Sequence, residues 1–328
     1  MNQRLLTVFI VILNLSCSKT VPTTNPASSP TYSMVGSAIS LSHAVPLDTL
    51  LDWVRIGRVA NGLSDIWFNN NNVGIITDGA NLFLSHDGGN NWAVIPGTTF
   101  NNLSNLQFVD NQNGFVQGNS VLGITNDGGN TWVSKVLPSR SALYFQFINA
   151  TSGYYCDLTS GILKTTDAGN NWSALSIPRQ QNFPFYFLDS LTGYSMNGGD
   201  FNKSTNGGIT WVLVSSKAAT YGPGYYKMQF IDTLTGFAAT SQGLLKTTDG
   251  GKTWLNCLNA STSLMIPYIF DSNNGYCIDR NIIYKTINGG KSWSISCQLT
   301  NDNFSGFHFL SFNTGWASTF GGYVLRLK

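Results

Sequence analysis

The sequence predicts an all-β fold, a seven-bladed β-propeller of four-stranded antiparallel blades, and two repeated motifs support this prediction. The first motif is a Ser/Thr-x-Asp/Asn-x-Gly-x-x-Trp box, which begins at Ser85 and recurs five times along the chain. The tryptophans of the six boxes are separated by 40, 40, 39, 43 and 39 residues. A repeat of about 40 residues that contains four short strand-like runs is typical of a propeller blade.

A second motif alternates with the box and occurs seven times. An aromatic residue ends a strand-like run, a polar turn follows, and a glycine then precedes a residue that is usually aromatic, as in Phe108 with Gly114 and Phe115. The glycines of the seven copies are Gly74, Gly114, Gly153, Gly193, Gly236, Gly275 and Gly315. Seven copies of this motif against six boxes predict seven blades, of which the last lacks one strand.

The missing strand is present at the other end of the repeat region. The chain ends at residues 323–328, in the position of a third strand, whereas Trp53 lies 39 residues before Trp92 and is therefore in register with the box tryptophans. We expect an N-terminal strand that begins at Trp53 to complete the last blade. Such closure leaves no end blade with an unpaired innermost edge.

The sequence divides into three regions. Residues 1–17 contain one basic residue, Arg4, a nine-residue apolar run and Cys17 after Leu15-Ser16, which resembles a bacterial lipoprotein signal with its lipidated cysteine. Ordinary secretion without lipidation is the alternative. Residues 18–46 are rich in Pro, Ser and Thr and are expected to form a flexible tether. Residues 47–328 are the propeller. The protein is therefore expected to be exported and lipid-anchored in the cell envelope.

Composition excludes several functions. All 16 acidic residues are aspartates, so mechanisms that need a glutamate are excluded. None of the three histidines lies at metal-ligand spacing from another histidine or a cysteine, and neither a metal nor a cofactor is expected. The formal charge of +2 gives no reason to expect nucleic acid as a partner.

Four cysteines lie in the propeller region, and we expect them to be buried free thiols. The repeat register places them on different blades or on non-adjacent strands, although export would permit disulfides. They are Cys156, Cys257, Cys277 and Cys297.

The boxes are expected to stabilise turns. Their hydroxyl and carboxylate can accept hydrogen bonds from backbone N–H groups, and the indole N–H can bond a nearby carbonyl. Two boxes carry Asn in the acidic position, so the charge is not essential. The structural residues are Asp87, Asp127, Asp167, Asn206, Asp249 and Asn288, with Trp92, Trp132, Trp172, Trp211, Trp254 and Trp293.

These motifs resemble the Asp-box (BNR) repeat propellers. The combination of Gly236-Phe237 with the run from Lys246 to Trp254 is most similar to the photosystem II stability/assembly-factor family. The resemblance covers residues 47–328 and implies the propeller fold. Because this fold supports many activities, it implies only weakly a non-catalytic assembly role.

An enzyme is the alternative to a binding protein. Sialidases of this fold are known for a glutamate and an early Arg-x-Pro motif, and the chain has neither. An aspartate-dependent glycoside hydrolase of the xyloglucanase-like type would need two carboxylates about 5–10 Å apart in a pocket. The non-box aspartates instead recur at equivalent turns of the repeat, so we expect no catalytic residues. They include Asp110, Asp189, Asp232 and Asp271.

Ligands of propellers usually meet the loops between the second and third strands and those between blades. Arg and Tyr are frequent at binding hot spots, and both occur at these positions. The expected binding residues are Arg58, Arg140, Arg179, Lys217, Tyr221, Tyr225 and Arg280, and Tyr226 and Lys227 map to the same loops. We expect a protein or glycan ligand there and contact with the membrane through the lipid anchor only. A purely structural surface protein is the third possibility.

Overall fold

The computed structural model describes residues 48–98, 100–138, 142–157, 161–175, 185–197, 199–216, 227–240, 243–259 and 265–328. These residues belong to one compact unit. They form twenty-eight strands, which pair into seven four-stranded antiparallel sheets and thus a seven-bladed propeller. The described residues include no helix with the length and apolar character needed to cross a membrane.

The first strands of neighbouring blades contact one another, so they surround the propeller axis. The strands of the seven blades, from the innermost outward, are as follows. Blade 1 contains β2 (Asp65–Phe68), β3 (Gly74–Thr77), β4 (Leu82–Ser85) and β5 (Ala93–Val94), and blade 2 contains β6 (Ser104–Phe108), β7 (Gly114–Gly118), β8 (Val121–Thr125) and β9 (Val133–Val136). Blade 3 contains β10 (Ala142–Phe147), β11 (Gly153–Asp157), β12 (Gly161–Thr165) and β13 (Ser173–Ala174), and blade 4 contains β14 (Phe185–Phe187), β15 (Gly193–Asn197), β16 (Asp200–Ser204) and β17 (Val212–Ser215). Blade 5 contains β18 (Met228–Phe230), β19 (Gly236–Thr240), β20 (Gly243–Thr247) and β21 (Leu255–Leu258), and blade 6 contains β22 (Met265–Ile269), β23 (Gly275–Asp279), β24 (Ile282–Thr286) and β25 (Ser294–Gln298). Blade 7 contains β26 (Phe304–Ser311), β27 (Thr314–Thr319), β28 (Tyr323–Leu327) and, as its outer strand, β1 (Trp53–Arg58).

The two ends of the described chain meet in blade 7. Strand β1 pairs antiparallel with β28, from Trp53 opposite Leu327 to Arg58 opposite Tyr323. Trp53 has no exposed surface, and its indole N–H donates to Ser296 Oγ of blade 6 at 3.0 Å. The outer strand of blade 7 is therefore also fastened to the neighbouring blade.

The residues before β1 extend this connection. Thr49 and Gln298 exchange two backbone hydrogen bonds of 2.8 Å at the outer edge of blade 6. Asp48 pairs with Arg55 and accepts hydrogen bonds of 2.9 Å from the backbone N–H and hydroxyl of Thr300. The N-terminal segment thus contacts blade 6 before it completes blade 7.

The second sequence motif stacks the blades. The aromatic residue after the motif glycine packs against the aromatic residue that ends the first strand of the next blade. Trp316 stacks on Phe68 with ring centroids 3.8 Å apart, and Phe115 on Phe147 at 3.5 Å. Such pairs contribute about 0.5–1.5 kcal/mol each beyond the apolar area they bury. Equivalent stacks join Tyr154 to Phe187, Tyr194 to Phe230, and Tyr276 to Phe309.

Glycine is required at the seven motif positions because a neighbouring side chain packs directly against the backbone there. A Cβ atom at Gly74 would lie 2.5 Å from the ring of Phe68, and the other six glycines of the motif have a comparably close side chain. Any larger residue would displace the ring that forms the inter-blade stack. The second motif is therefore a packing motif.

The boxes stabilise turns, as predicted. In the first box, Ser85 Oγ accepts a hydrogen bond from Gly89 N at 2.9 Å, and Asp87 Oδ1 accepts one from Asn91 N at 2.9 Å. Trp92 Nε1 donates to Gly89 O at 2.9 Å. In the box with Asn206, the Asn side chain keeps the bond from the Thr210 backbone N–H at 2.9 Å.

The turn aspartates between the first and second strands also have the predicted role. Asp110 Oδ1 accepts hydrogen bonds from the backbone N–H groups of Gln112 and Asn113 at 2.8 and 2.7 Å. Asp189, Asp232 and Asp271 make the same pair of bonds in their blades. Cys257, Cys277 and Cys297 are free thiols; Cys257 is half-buried, and Cys277, Cys297 and Cys156 are buried.

Candidate binding face and axial site

The loop face is the end of the propeller formed by the turns between second and third strands and by the connections between blades. Backbone hydrogen bonds join these two kinds of loop, as between Leu103 N and Gly79 O at 2.7 Å and between Asn119 N and Asn101 O at 2.7 Å. The Asp boxes occupy the opposite end, the box face. The two faces therefore carry different residues.

The structure places two of the predicted binding residues, Arg58 and Arg280, on the same part of the loop face. Arg58 Nε donates to Gly321 O at 3.2 Å, and its guanidinium also contacts the Asn61 side chain. The backbone connects this turn to Arg280, because Phe320 N bonds Asn303 O and Phe304 N bonds Arg280 O. Both arginines are exposed at the junction of blades 6 and 7.

Arg280 has a strained backbone. Its φ is 51°, in the left-handed region, where a residue with a Cβ is disfavoured by about 1–2 kcal/mol. Arg280 lies in the two-residue turn between β23 and β24, where a positive φ is common.

Several predicted residues lie outside the described part of the chain, and their positions stay predictions. They are Arg140, Arg179, Lys217, Tyr221, Tyr225, Tyr226 and the lipidation residue Cys17.

Around the axis, side chains from one blade form hydrogen bonds with backbone groups of the innermost strand of the next blade. Gln107 of blade 2 donates to Phe147 O at 2.7 Å and accepts from Phe147 N at 2.9 Å. Gln146 and Gln229 make the same pair of bonds to Phe187 and Ile269. Each glutamine directly precedes the residue that pairs with the motif glycine of its own blade. We call the seven residues at this position the inner ring: Trp67, Gln107, Gln146, Tyr186, Gln229, Tyr268 and His308.

Two further members of the inner ring bridge blades in a different way. Tyr268 donates its hydroxyl to Phe309 O at 3.0 Å, and His308 Nδ1 accepts from Phe68 N at 3.1 Å. Burial lowers the pKa of His308 to about 3, so the imidazole is neutral and can accept this bond. His308 therefore has a structural role, because it joins blade 7 to blade 1.

Nearer the loop face, the axis contains an acid and a base. Asp65 begins the innermost strand of blade 1, and Lys227 immediately precedes that of blade 5. The Lys227 ammonium lies 5.7 Å from the ring centroid of Tyr144 on blade 3 and within electrostatic range of Asp65. A side chain from blade 5 that approaches blades 1 and 3 must extend across the axis.

The sequence mapped Lys227 to the loop face, whereas the structure directs its side chain into the axis. Asp65 was not singled out, because an aspartate at the start of one strand has no repeated counterpart. A usable signal was present, since Asp65 and Lys227 each lie two residues before an inner-ring position. Their equal distance from the second motif places Asp65 and Lys227 at equivalent positions of blades 1 and 5.

The Asp65 carboxylate is held by backbone groups of two blades. Oδ1 accepts from Ile66 N at 2.9 Å, and Oδ2 from Leu106 N of blade 2 at 2.8 Å. Gly306 of blade 7 leaves room for the Asp65 carboxylate, because a Cβ atom at this position would lie 2.6 Å from Oδ1. Burial raises the pKa of Asp65 to about 6, although the Lys227 charge and both hydrogen bonds lower it.

Among the described residues, Lys227 is the charged group that shifts the pKa of Asp65, and it lowers that pKa. Within the described ranges there is no group of three or more His, Cys, Asp or Glu residues suited to a metal ion.

Comparison with known proteins links the chain to one family through part of its length. Residues 97–184, which include all the strands of blades 2 and 3, match the family model described as Photosynthesis system II assembly factor YCF48. No curated protein sequence matches the chain.

Solved structures extend the likeness to the whole propeller. "YCF48 bound to D1 peptide" is 18% identical, with a TM-score of 0.64 over 88% of this chain and 99% of that one. YCF48 from Cyanidioschyzon merolae is 18% identical, with a TM-score of 0.63 over 84% and 98%. An ancestral GH74 enzyme is 15% identical, with a TM-score of 0.58 over 83% of this chain but 46% of that enzyme. At these identities the structural likeness establishes the fold.

Proposed function

We propose that this seven-bladed Asp-box propeller, which is similar to the YCF48 assembly factors, is a non-catalytic protein that binds a polypeptide through its loop face. The observation that carries the proposal is the match of residues 97–184 to the YCF48 family model. This segment contains the loops with Arg140 and Arg179, two of the predicted binding residues. A structure of similar fold is that of YCF48 with a D1 peptide, so such a propeller can take a peptide ligand.

The chemistry of the loop face supports this proposal. Arg58 and Arg280 are both exposed on the loop face, and Arg280 retains a conformation that a glycine would adopt more easily. Exposed guanidinium groups suit hydrogen bonding to backbone carbonyls and carboxylates of an extended peptide. A glycan is the second ligand class, and its binding would depend more on the tyrosines of residues 221–226 than on the arginines.

We further propose that the protein is exported and anchored by lipid at Cys17. The basic start, the short apolar run and the cysteine support this proposal, and the Pro/Ser/Thr-rich residues 18–46 would act as the tether. Replacement of Cys17 by serine should release the protein from the membrane fraction. Retention of the variant in that fraction would contradict the lipid anchor.

Affinity capture from cell-envelope extracts, followed by reconstitution with the purified candidate, tests the binding proposal. The wild-type chain should retain a protein that binds again, saturably and with 1:1 stoichiometry, when both components are pure. A glycan array run in parallel tests the second ligand class. Saturable glycan binding without a reconstituted protein complex would overturn the polypeptide proposal.

A further inference from the structure

Half-buried lysines between the blades have partners in this fold. Lys164 donates to Gly207 O at 3.2 Å and Lys246 to Gly289 O at 2.6 Å, each reaching the box of the following blade. Lys285 lies 3.5 Å from an Asp52 carboxylate oxygen. The blade architecture therefore normally supplies an acceptor for an enclosed ammonium group.

Among the described residues, Lys203 and Lys227 lack such an acceptor and lie instead near tyrosine rings, and Lys227 is the one at the axis. Within the described part of the chain its ammonium makes no hydrogen bond, and no carboxylate oxygen lies within 4.0 Å. Burial lowers its pKa, which means that the charged form is destabilised where it lies. An enclosed cation whose acidic neighbour lies beyond ion-pair distance is costly, and it is a candidate for binding an anion.

Asp65 cannot move closer to Lys227 without losing hydrogen bonds. Its two oxygens are occupied by the N–H groups of Ile66 and Leu106, and these bonds hold the carboxylate at the junction of blades 1 and 2. The Asp65 carboxylate is thus held in place, and the Lys227 ammonium approaches it from blade 5. Both residues keep some accessible surface.

We infer that the loop-face end of the propeller axis is a receptor for one carboxylate group, with Lys227 as its counter-ion and the Tyr144 ring beside it. This inference deepens the proposed function, because a polypeptide bound on the loop face can insert a C-terminal or side-chain carboxylate into the axis. A phosphate dianion suits the site less well, since it would bring two negative charges to one cation and face Asp65. The site therefore selects a monoanionic, planar group.

Nuclear magnetic resonance of the full chain tests the inference with defined probes. The probes are acetyl-trialanine with a free C-terminal carboxylate, the same peptide as a C-terminal amide, sodium acetate and inorganic phosphate. The backbone amides of Ile66 and Leu106 report on the site because they donate to Asp65. The free tripeptide acid should shift both signals saturably at millimolar concentration, and the amide should not.

Variants of Lys227 test whether its ammonium group binds the carboxylate. Lys227→Met should weaken binding at least tenfold, whereas Lys227→Arg, which keeps the charge, should retain it. Lys252→Met is the matched control, since Lys252 is an exposed lysine in the box of the same blade. A well-dispersed spectrum of Lys227→Met shows that the variant is folded. If that variant alone fails to fold, loss of binding at pH 11 relative to pH 7 in the wild type replaces it.

The outcomes separate the ligand sources and the two proposals. Shifts with acetate as large as those with the tripeptide acid identify a general carboxylate site, and shifts with the tripeptide alone identify a chain terminus. The inference is overturned if no carboxylate saturates the signals, if the amide or phosphate binds equally well, or if Lys227→Met binds like the wild type. These results do not depend on whether a protein partner is captured, so the failure of one proposal is distinguishable from the failure of the other.

Discussion

The imidazole Nδ1 of His308 accepts a hydrogen bond from the backbone N–H of Phe68 at 3.1 Å, across the junction between the last blade and the first. The same junction contains the stack of Trp316 on Phe68. Elsewhere the equivalent position is often glutamine, which bonds both the N–H and the carbonyl of the next blade. Closure of the ring therefore involves the axis as well as the outer strand β1.

His308 should be replaceable by glutamine but not by alanine. His308→Ala leaves the buried N–H of Phe68 without a partner and should lower the free energy of unfolding by about 2 kcal/mol. His308→Gln can copy the pair of bonds that Gln107 makes and should cost less than about 1 kcal/mol at pH 7. Denaturant unfolding measures both values, and equal losses would refute the bridging role.

The same comparison has a pH dependence. The folded-state pKa of His308, about 3, lies below the ordinary value of 6.5, so the unfolded chain binds more protons and stability falls as pH decreases below 6.5. Between pH 7 and 5 the wild type should lose about 2 kcal/mol relative to His308→Gln. Asp65, whose pKa is raised to about 6, has the opposite dependence, but it titrates in both proteins and cancels in the difference. A constant difference across this range would contradict a neutral, buried His308.

Removal of the Trp53 side chain should open the closed blade. Trp53 is fully buried, lies 5.8 Å from the ring of Phe309 and bonds Ser296 of blade 6. Trp53→Ala should cost about 3–5 kcal/mol. Val54→Ala is the control, because the adjacent Val54 is 38% exposed and should change stability by less than about 0.5 kcal/mol. Similar midpoints of chemical unfolding for the two variants would refute the contribution of β1.

The charge of a box aspartate should be dispensable. Thr131 donates its hydroxyl to Asp127 Oδ2 and its backbone N–H to Oδ1. In the natural Asn206 box the amide donates to the Thr210 hydroxyl at 2.8 Å, which reverses the direction of the first bond. Asp127→Asn should therefore cost less than about 0.5 kcal/mol, and Asp127→Ala about 1–2 kcal/mol, in thermal or denaturant unfolding. A large loss for the Asn variant would show that the charge matters.

Arg280 is expected to lower the stability of the fold and to strengthen binding of the partner. Arg280→Gly relieves the strain at φ 51° and should raise the free energy of unfolding by about 0.5–1 kcal/mol, part of the gain being lost to the greater freedom of glycine in the unfolded chain. The same variant should weaken partner binding. Arg280→Lys keeps both the strain and the charge and serves as the control. A variant that is more stable and binds equally well would remove the functional reason for this arginine.

The repeats made the fold predictable, because each motif corresponds to one local interaction. The box gives the turn between third and fourth strands, and the Gly-aromatic motif gives the stack between blades, as for Gly74 and Phe68. The inner ring was not predicted, since glutamine, tyrosine and histidine at one position share no composition pattern. What these residues share is a side-chain hydrogen bond to the neighbouring blade.

The candidate site was predictable only in part. Arg58 and Arg280 followed from loop positions in the repeat, and the structure places both on the loop face of blades 6 and 7, with Arg58 bonded to the turn at Gly321. The axial site depends on how far Lys227 reaches across the ring, which strand spacing does not specify. Non-repeated residues at repeated positions were the signal that sequence reasoning overlooked.

The most direct measurement of the central claim is the dissociation constant of the purified, reconstituted partner for two pairs of variants. The loop-face pair is Arg58→Ala with Arg280→Ala, and the box-face pair is Lys252→Ala with Lys291→Ala, which removes the same charge from exposed residues at the opposite end. Loop-face binding predicts at least a tenfold weakening for the first pair and less than a twofold change for the second. Equal effects of the two pairs, or a loss confined to the box-face pair, would contradict the proposal that the loop face binds the partner.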